Sequence, residues 1–342
     1  MKNSSCLQPS PATTVALPII YSCLFISGIF GNTLVAWIFS RTAHTRRSQY
    51  IYLANLVGAN LLVCSTMPFL AAYFANGHRW PYGSLECRIT NPVGALVMHL
   101  SMYVTITILC SIALSQYATL KKDRRTQHSP ALPRNFHGRL LQKFRQPKFA
   151  KYLCFAIWLI VLCITTMGTM YNVQDSASGE LPVCYNIRVE AGERPAMIAV
   201  SLATVCFFLS FMTVLWSYCS LTRHLSRIQK NTCIGEKHLI YRTVKRKILV
   251  IQIILTVCFL PYHIFRPIFY ILLTDNDCPR LNYLVEIKNF LTCLAAAKSS
   301  LDPVITLLLD KTFKKKLYGL FTKSTPEHQK HNDIFIEIGG TT

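Results

Sequence analysis

Apolar residues in this chain are gathered into long runs, and the polar residues fall between them. Seven runs, approximately 16–40, 50–75, 91–117, 149–171, 196–219, 247–273 and 284–309, are each long enough to cross a bilayer. About 20 apolar residues in a helix span the ~30 Å hydrocarbon core. A lone segment in lipid must satisfy its own backbone groups, so each run is expected to be an α-helix. The pattern predicts an all-α membrane protein, a seven-transmembrane helix bundle with its termini on opposite sides. No internal repeat is visible. The expected divisions are an N-terminal segment 1–15, the bundle 16–309, a short amphipathic eighth helix 310–322 and a tail 323–342.

Composition agrees with a membrane protein. Hydrophobic residues make up 51% of the 342 and charged residues only 15%, against about 25% in ordinary soluble domains. The net charge of +21 suggests nucleic acid until its placement is seen. The basic residues sit in short connections: Arg41, Arg46 and Arg47; Lys121 to Lys148 with Asp123 as the only acid; Arg223 to Lys247; and Lys311 to Lys323. The alternate connections carry Asp175, Glu180, Glu190, Glu193, Asp275 and Asp277. The positive-inside rule then places the basic loops and the C-terminus in the cytoplasm and the N-terminus outside, at the cell membrane. No nucleic-acid partner is expected. Membrane lipids are, because basic loops meet anionic head groups. Nothing before Ala16 resembles a signal-peptide core, so the first run is expected to act as its own anchor.

Two features fit that orientation. Asn3-Ser4-Ser5 is a glycosylation sequon on the outer side. Of fourteen cysteines, Cys6, Cys87, Cys184 and Cys278 fall in outer segments. An even number in an oxidising compartment suggests two disulfides. The other ten are expected to be buried small hydrophobes.

The sixth run contains Cys258-Phe259-Leu260-Pro261-Tyr262-His263-Ile264-Phe265-Arg266. Pro261 removes one backbone hydrogen bond and crowds the preceding turn, so a kink is expected there. His263 and Arg266 follow it at depths where ionisable groups are costly. A kinked helix with polar groups beyond the kink suggests a moving part beside a binding site.

Residue by residue, the chain resembles the rhodopsin-like G-protein-coupled receptors over about residues 16–322. The resemblance is carried by Gly31-Asn32, by Asn55-Leu56-Val57-Gly58-Ala59-Asn60-Leu61, by Met67-Pro68, by Trp80 with Cys87, by Trp158, and by Phe313 and Leu317 in the eighth helix. Cys258-Phe259-Leu260-Pro261-Tyr262-His263 with Arg266, and Lys288 fifteen residues before Pro303, resemble the purinergic-like branch. The resemblance implies a signalling receptor for an extracellular small molecule, with a heterotrimeric G protein as partner and no cofactor. It implies disulfides Cys87–Cys184 and Cys6–Cys278. It also implies a ligand site of His263, Arg266, Lys288, Tyr103 and Tyr262, walled further by Phe259 and Tyr270, with His99 as an added donor.

Three donors converging suit a phosphate or carboxylate, so an anionic, nucleotide- or lysophospholipid-like ligand is expected. Another reading stays open: Arg266 and Lys288 snorkel to the interface, and His263 is a hydrogen-bonded core histidine.

The chain departs from the family at its switch positions. Ser115-Gln116-Tyr117 stands where relatives have Asp-Arg-Tyr. That leaves two readings open, altered coupling or a coupling receptor whose inactive state lacks one lock. Cys87 to Gln116 is four residues longer than the family spacing. Either the third span begins a turn higher or the loop before it is longer. Ser210 replaces the fifth-span proline, and Thr306 replaces a tyrosine after Asp302-Pro303. Asn60 and Asp302 reverse the usual placement of acid and amide. Lys298 lies four residues before Asp302 on one helix face, so a Lys298–Asp302 pair with Asn60 across from it is expected, and no sodium site.

Two further functions are weighed beside a signalling receptor. A non-coupling scavenger or decoy of the same fold is favoured by Gln116 and Thr306. A transporter with Lys298 and Asp302 as a relay is disfavoured by the missing repeat. Metal spacings, Gly-rich phosphate loops and nucleophile motifs are lacking, which argues against an enzyme.

Overall fold

A computed structural model of the chain describes residues 8–41, 48–77, 84–128, 136–176, 194–231, 235–272 and 278–309. Among these residues all regular structure is helical. The helices are α1 Leu17–Ser40, α2 Ser48–Ala75, α3 Ser84–His128, α4 Phe136–Lys143, α5 Pro147–Ser176, α6 Arg194–Asn231, α7 Gly235–Ile254, α8 Leu260–Leu272 and α9 Cys278–Leu309. Among the described residues six stretches are long and apolar enough to cross a membrane: Ala12–Ser40, Ser48–Ala75, Leu96–Ala118, Pro147–Thr166, Val200–Arg223 and Arg242–Leu272. The seventh expected run forms α9. It carries two charged residues within its apolar run, Lys298 and Asp302. The expected eighth helix, 310–322, and the tail lie outside the described residues.

Two boundaries differ from the hydrophobic pattern in an informative way, and one helix interior bears on it. The first helix is entered through a wide turn at Ala12–Ala16, most of it inside the expected N-terminal segment. There Thr13 is fully buried and its hydroxyl donates to Glu286 of α9 at 3.2 Å. Polar contacts, invisible to a hydropathy reading, thus fold those residues onto the bundle. α3 already begins at Ser84, before Cys87, so the extra residues lengthen the helix and not the loop. α6 runs without a break through Ser210, as expected of a helix that has lost its proline.

The expected kink at Pro261 takes a particular form. Leu255–Phe259, just before the proline, is one widened turn, in which the Leu260 N–H donates to Leu255 O five residues back. Such an inserted residue eases the crowding between a proline ring and the preceding turn, and it commonly marks functional positions. A second proline, Pro267, lies within α8.

Packing follows the rules of helices in lipid, where small residues let backbones approach. α1 packs on α2, α2 on α3 and α5, and α3 on α5, α6 and α7. A Cβ on Gly31 would lie 2.8 Å from the ring carbons of Pro303, so only glycine lets α1 meet α9 there. The Trp158 indole N–H donates to Asn55 Oδ1 at 3.1 Å, tying α5 to α2. A compact unit runs to Pro303, and in the second, Val304–Thr342, the described residues continue the helix to Leu309.

The cysteines correct one expectation. Cys64, Cys154, Cys258 and Cys293 are buried, but Cys23, Cys163, Cys206 and Cys219 are exposed on the helix surfaces. In a bilayer those positions face lipid, where a thiol is as well accommodated as in a core.

Candidate ligand cluster and mid-membrane network

Two polar regions lie at different levels of the bundle. The upper half of the bundle is the one that holds the start of α1. There, helical spacing places Tyr262, Arg266 and Tyr270 on one side of α8, and His99 and Tyr103 on one side of α3. His99 Nε2 and the Tyr262 hydroxyl lie 3.1 Å apart. The Arg266 guanidinium donates to the Tyr262 hydroxyl and stands 5.3 Å from its ring centre. It also reaches the hydroxyls of Tyr103 and Tyr270. Among the described residues no carboxylate pairs with it. Arg266 is half-buried and turned into the cluster, which disfavours the snorkelling alternative for this residue.

His263 is 1% exposed. Its Nδ1 lies 2.9 Å from Phe259 O. A carbonyl only accepts, so Nδ1 carries the proton. The imidazole stacks on Phe207 of α6 with centres 4.0 Å apart, and the edge of Tyr103 meets it at 5.8 Å. Nε2 is buried without a partner. The core-histidine reading therefore describes one nitrogen of the ring and not the other. Lys288 of α9 stands over the Phe269 ring at 5.7 Å, on the next residue but two from Arg266.

The second region is at mid-membrane. Lys298 and Asp302 of α9 form the expected ion pair. Lys298 Nζ also donates to Asn60 Oδ1 at 3.1 Å. The Asn60 amide donates both its hydrogens, to Asp302 Oδ2 at 2.8 Å and to Asn32 Oδ1 at 3.0 Å. Asn32 in turn donates to Gly28 O and to Ser299 O, each at 2.8 Å. Lys298 is only 2% exposed, and its charge is met within the network. α1, α2 and α9 are joined by bonds that fix the orientation of both amides.

Toward the lower ends, Ser115 and Gln116 are buried. The Tyr117 and Ser220 hydroxyls are 3.0 Å apart, and Tyr117 meets Trp216 edge-on at 5.3 Å, so α3 is held against α6. Asn3, Cys6 and Cys184 lie outside the described residues. So do the side chains of Cys87 and Cys278, which leaves both expected disulfides and the glycosylation site outside them as well. Phe207 was missed by the sequence reading. Its only signal is an aromatic group, Phe207, Phe208 and Phe211, with nothing to show which ring faces His263.

A multi-helix membrane bundle with a proline-hinged helix, a polar network at mid-depth and a polar aromatic cluster above it has the form of a transmembrane receptor. The model of the 7 transmembrane receptor (rhodopsin family) matches residues 31–134 and 136–305, and the chain belongs to that family. It is 52% identical over 330 residues to the human protein named Probable G-protein coupled receptor 82, covering 96% of this chain and 98% of that one. The mouse protein of that name is 51% identical over 325 residues, 94% of this chain and 99% of the other. A more distant relative, the human Uracil nucleotide/cysteinyl leukotriene receptor, is 24% identical over 317 residues, 92% of this chain and 79% of that one. The chain is thus a multi-pass membrane protein of a non-enzymatic receptor family. Membership implies an extracellular ligand and a G-protein partner.

Proposed function

We propose that this chain is a cell-surface receptor, N-terminus outside, for an anionic small molecule of nucleotide or lysophospholipid type. His263, Arg266, Lys288, Tyr103 and Tyr262 form its site. The observation that carries this reading is Arg266. A half-buried guanidinium surrounded by phenol hydroxyls, with no carboxylate among the described residues, has donors and charge available for an anion. The relative whose name gives a uracil nucleotide as its ligand adds support, since a nucleotide is a phosphate ester. The test is thermal stabilisation of the purified receptor by a panel of nucleotides and lysophosphatidates beside neutral analogues. Anions alone should stabilise, and Arg266→Gln should remove the effect. Equal stabilisation by neutral analogues would contradict the reading.

A second reading is a non-coupling scavenger of the same fold. It is favoured by Gln116, which lacks the charge relatives present to the G protein. Recruitment of purified G protein by the wild type and by Gln116→Arg separates the two. A wild type that recruits none, with recovery in the arginine variant, supports the scavenger.

A further inference from the structure

We infer that His263 is the mechanical link between the ligand cluster and the hinge of the sixth span, acting through its two ring nitrogens in opposite directions. The inference rests on the anion reading for its ligand side and is independent of it for its hinge side. On the hinge side, Nδ1 donates to the carbonyl of Phe259, the last residue of the widened turn Leu255–Phe259. The turn holds one more residue than an α-helical turn, and Pro261 just beyond it lacks an N–H. Side-chain bonds there help decide whether the extra residue stays in place. On the ligand side, Nε2 is buried, unpaired and beside Tyr103 and Tyr262 of the cluster. Phe207, stacked at 4.0 Å, closes one face of the ring.

The same geometry sharpens the ligand chemistry. With the proton on Nδ1, Nε2 of the neutral ring accepts a hydrogen bond. An anionic oxygen is repelled there and drawn to Arg266. The ligand that satisfies both carries an anionic group and, within the same molecule, a hydroxyl or N–H donor for His263. Phosphate esters of a sugar or of glycerol have this form. A donor that takes Nε2 pulls on the ring that braces the turn, so binding in the upper half is transmitted to the helix below Pro261.

The test uses the full chain in lipid nanodiscs, with nitroxides on unnatural amino acids at positions 151 and 246. Both are exposed, the first near the start of α5 and the second in the middle of α7, below the hinge. His263→Asn removes Nε2 but keeps a donor for the carbonyl. Asn32, Asn55 and Asn76 all donate to the carbonyl four residues back, at 2.8, 2.8 and 3.0 Å. His263→Phe keeps an aromatic ring and removes both nitrogens. Without ligand, the asparagine variant should reproduce the wild-type distance, and the phenylalanine variant should show a shifted or second peak. If His263→Phe does not fold, a folded His263→Asn with the wild-type distance supports the brace, and a moved one overturns it. An unmoved His263→Phe also overturns it. For the ligand side the probes are oleoyl-lysophosphatidate and its 2-deoxy analogue. The hydroxyl form should shift the wild-type peak, and the deoxy form should bind without shifting it. Equal shifts by both, or an equal response in His263→Asn, overturn the role of Nε2. A wild type stabilised by neither probe counts against the anion reading, and with it the ligand side, while the ligand-free distances still decide the brace.

Discussion

The two polar regions of this bundle are built from similar residue types and handle charge in opposite ways. At mid-membrane, Lys298 is paired with Asp302, and every donor of Asn60 and Asn32 is used. In the upper half, Arg266 meets neutral phenol hydroxyls and, among the described residues, no carboxylate, and His263 has an unpaired nitrogen. The lower region joins α1, α2 and α9, and the upper one joins α3, α6 and α8. A buried charge is costly unless it is met. The closed network therefore reads as structure, and the open cluster as a place where something else supplies the missing partner.

The sharpest way to break the comparison is to open the closed region. Lys298→Met should leave the Asp302 carboxylate buried without a countercharge, costing roughly 3–5 kcal/mol. The melting temperature in detergent and the surface yield would both read this. Adding Asp302→Asn to the same chain should restore most of the loss, because no buried charge then remains. If the single variant is as stable as the wild type, the network is not closed.

That pair was legible before the structure because helical spacing puts residues four apart on one face. The seven helices were legible too, because lipid leaves an apolar run few alternatives. Asn60 across from the pair was legible through the family resemblance, but other contacts between distant residues were not. Nothing in the order of residues says that Asn32 completes the network or that Phe207 lies on His263. Hydropathy also hid Thr13, which is buried and whose hydroxyl meets Glu286 and Ser10. It could not say which cysteines face outward, since lipid and core are equally apolar. The proline showed where the sixth span is distorted, but not that the distortion takes the form of a widened turn at Leu255–Phe259.

The next prediction sharpens the upper region. Arg266→Gln should weaken an anionic ligand by about 1.5–3 kcal/mol, the usual loss for a hydrogen bond to a charged group, or roughly 10- to 100-fold in Kd. Equilibrium binding of the stabilising anion is the measurement. A smaller effect on the closed region comes from Gly31→Ala, which forces a Cβ against Pro303. Overpacking of this kind costs about 1–3 kcal/mol. It should lower the melting temperature while leaving ligand affinity unchanged. The smallest expected effect is none: exchanging sodium for choline should not shift the melting temperature, because the Lys298 ammonium already neutralises Asp302. A sodium-dependent shift would mean that the network opens to admit an ion.

The contrast rests on whether the fold needs the charge of Arg266. Its most direct test is the melting temperature of ligand-free Arg266→Gln beside that of Lys298→Met. The glutamine keeps a donor for Tyr262 and removes the charge, so its stability should stay within about 1 kcal/mol of the wild type, well above that of Lys298→Met. If the two variants fall equally, Arg266 is a structural cation and the upper cluster is closed as well.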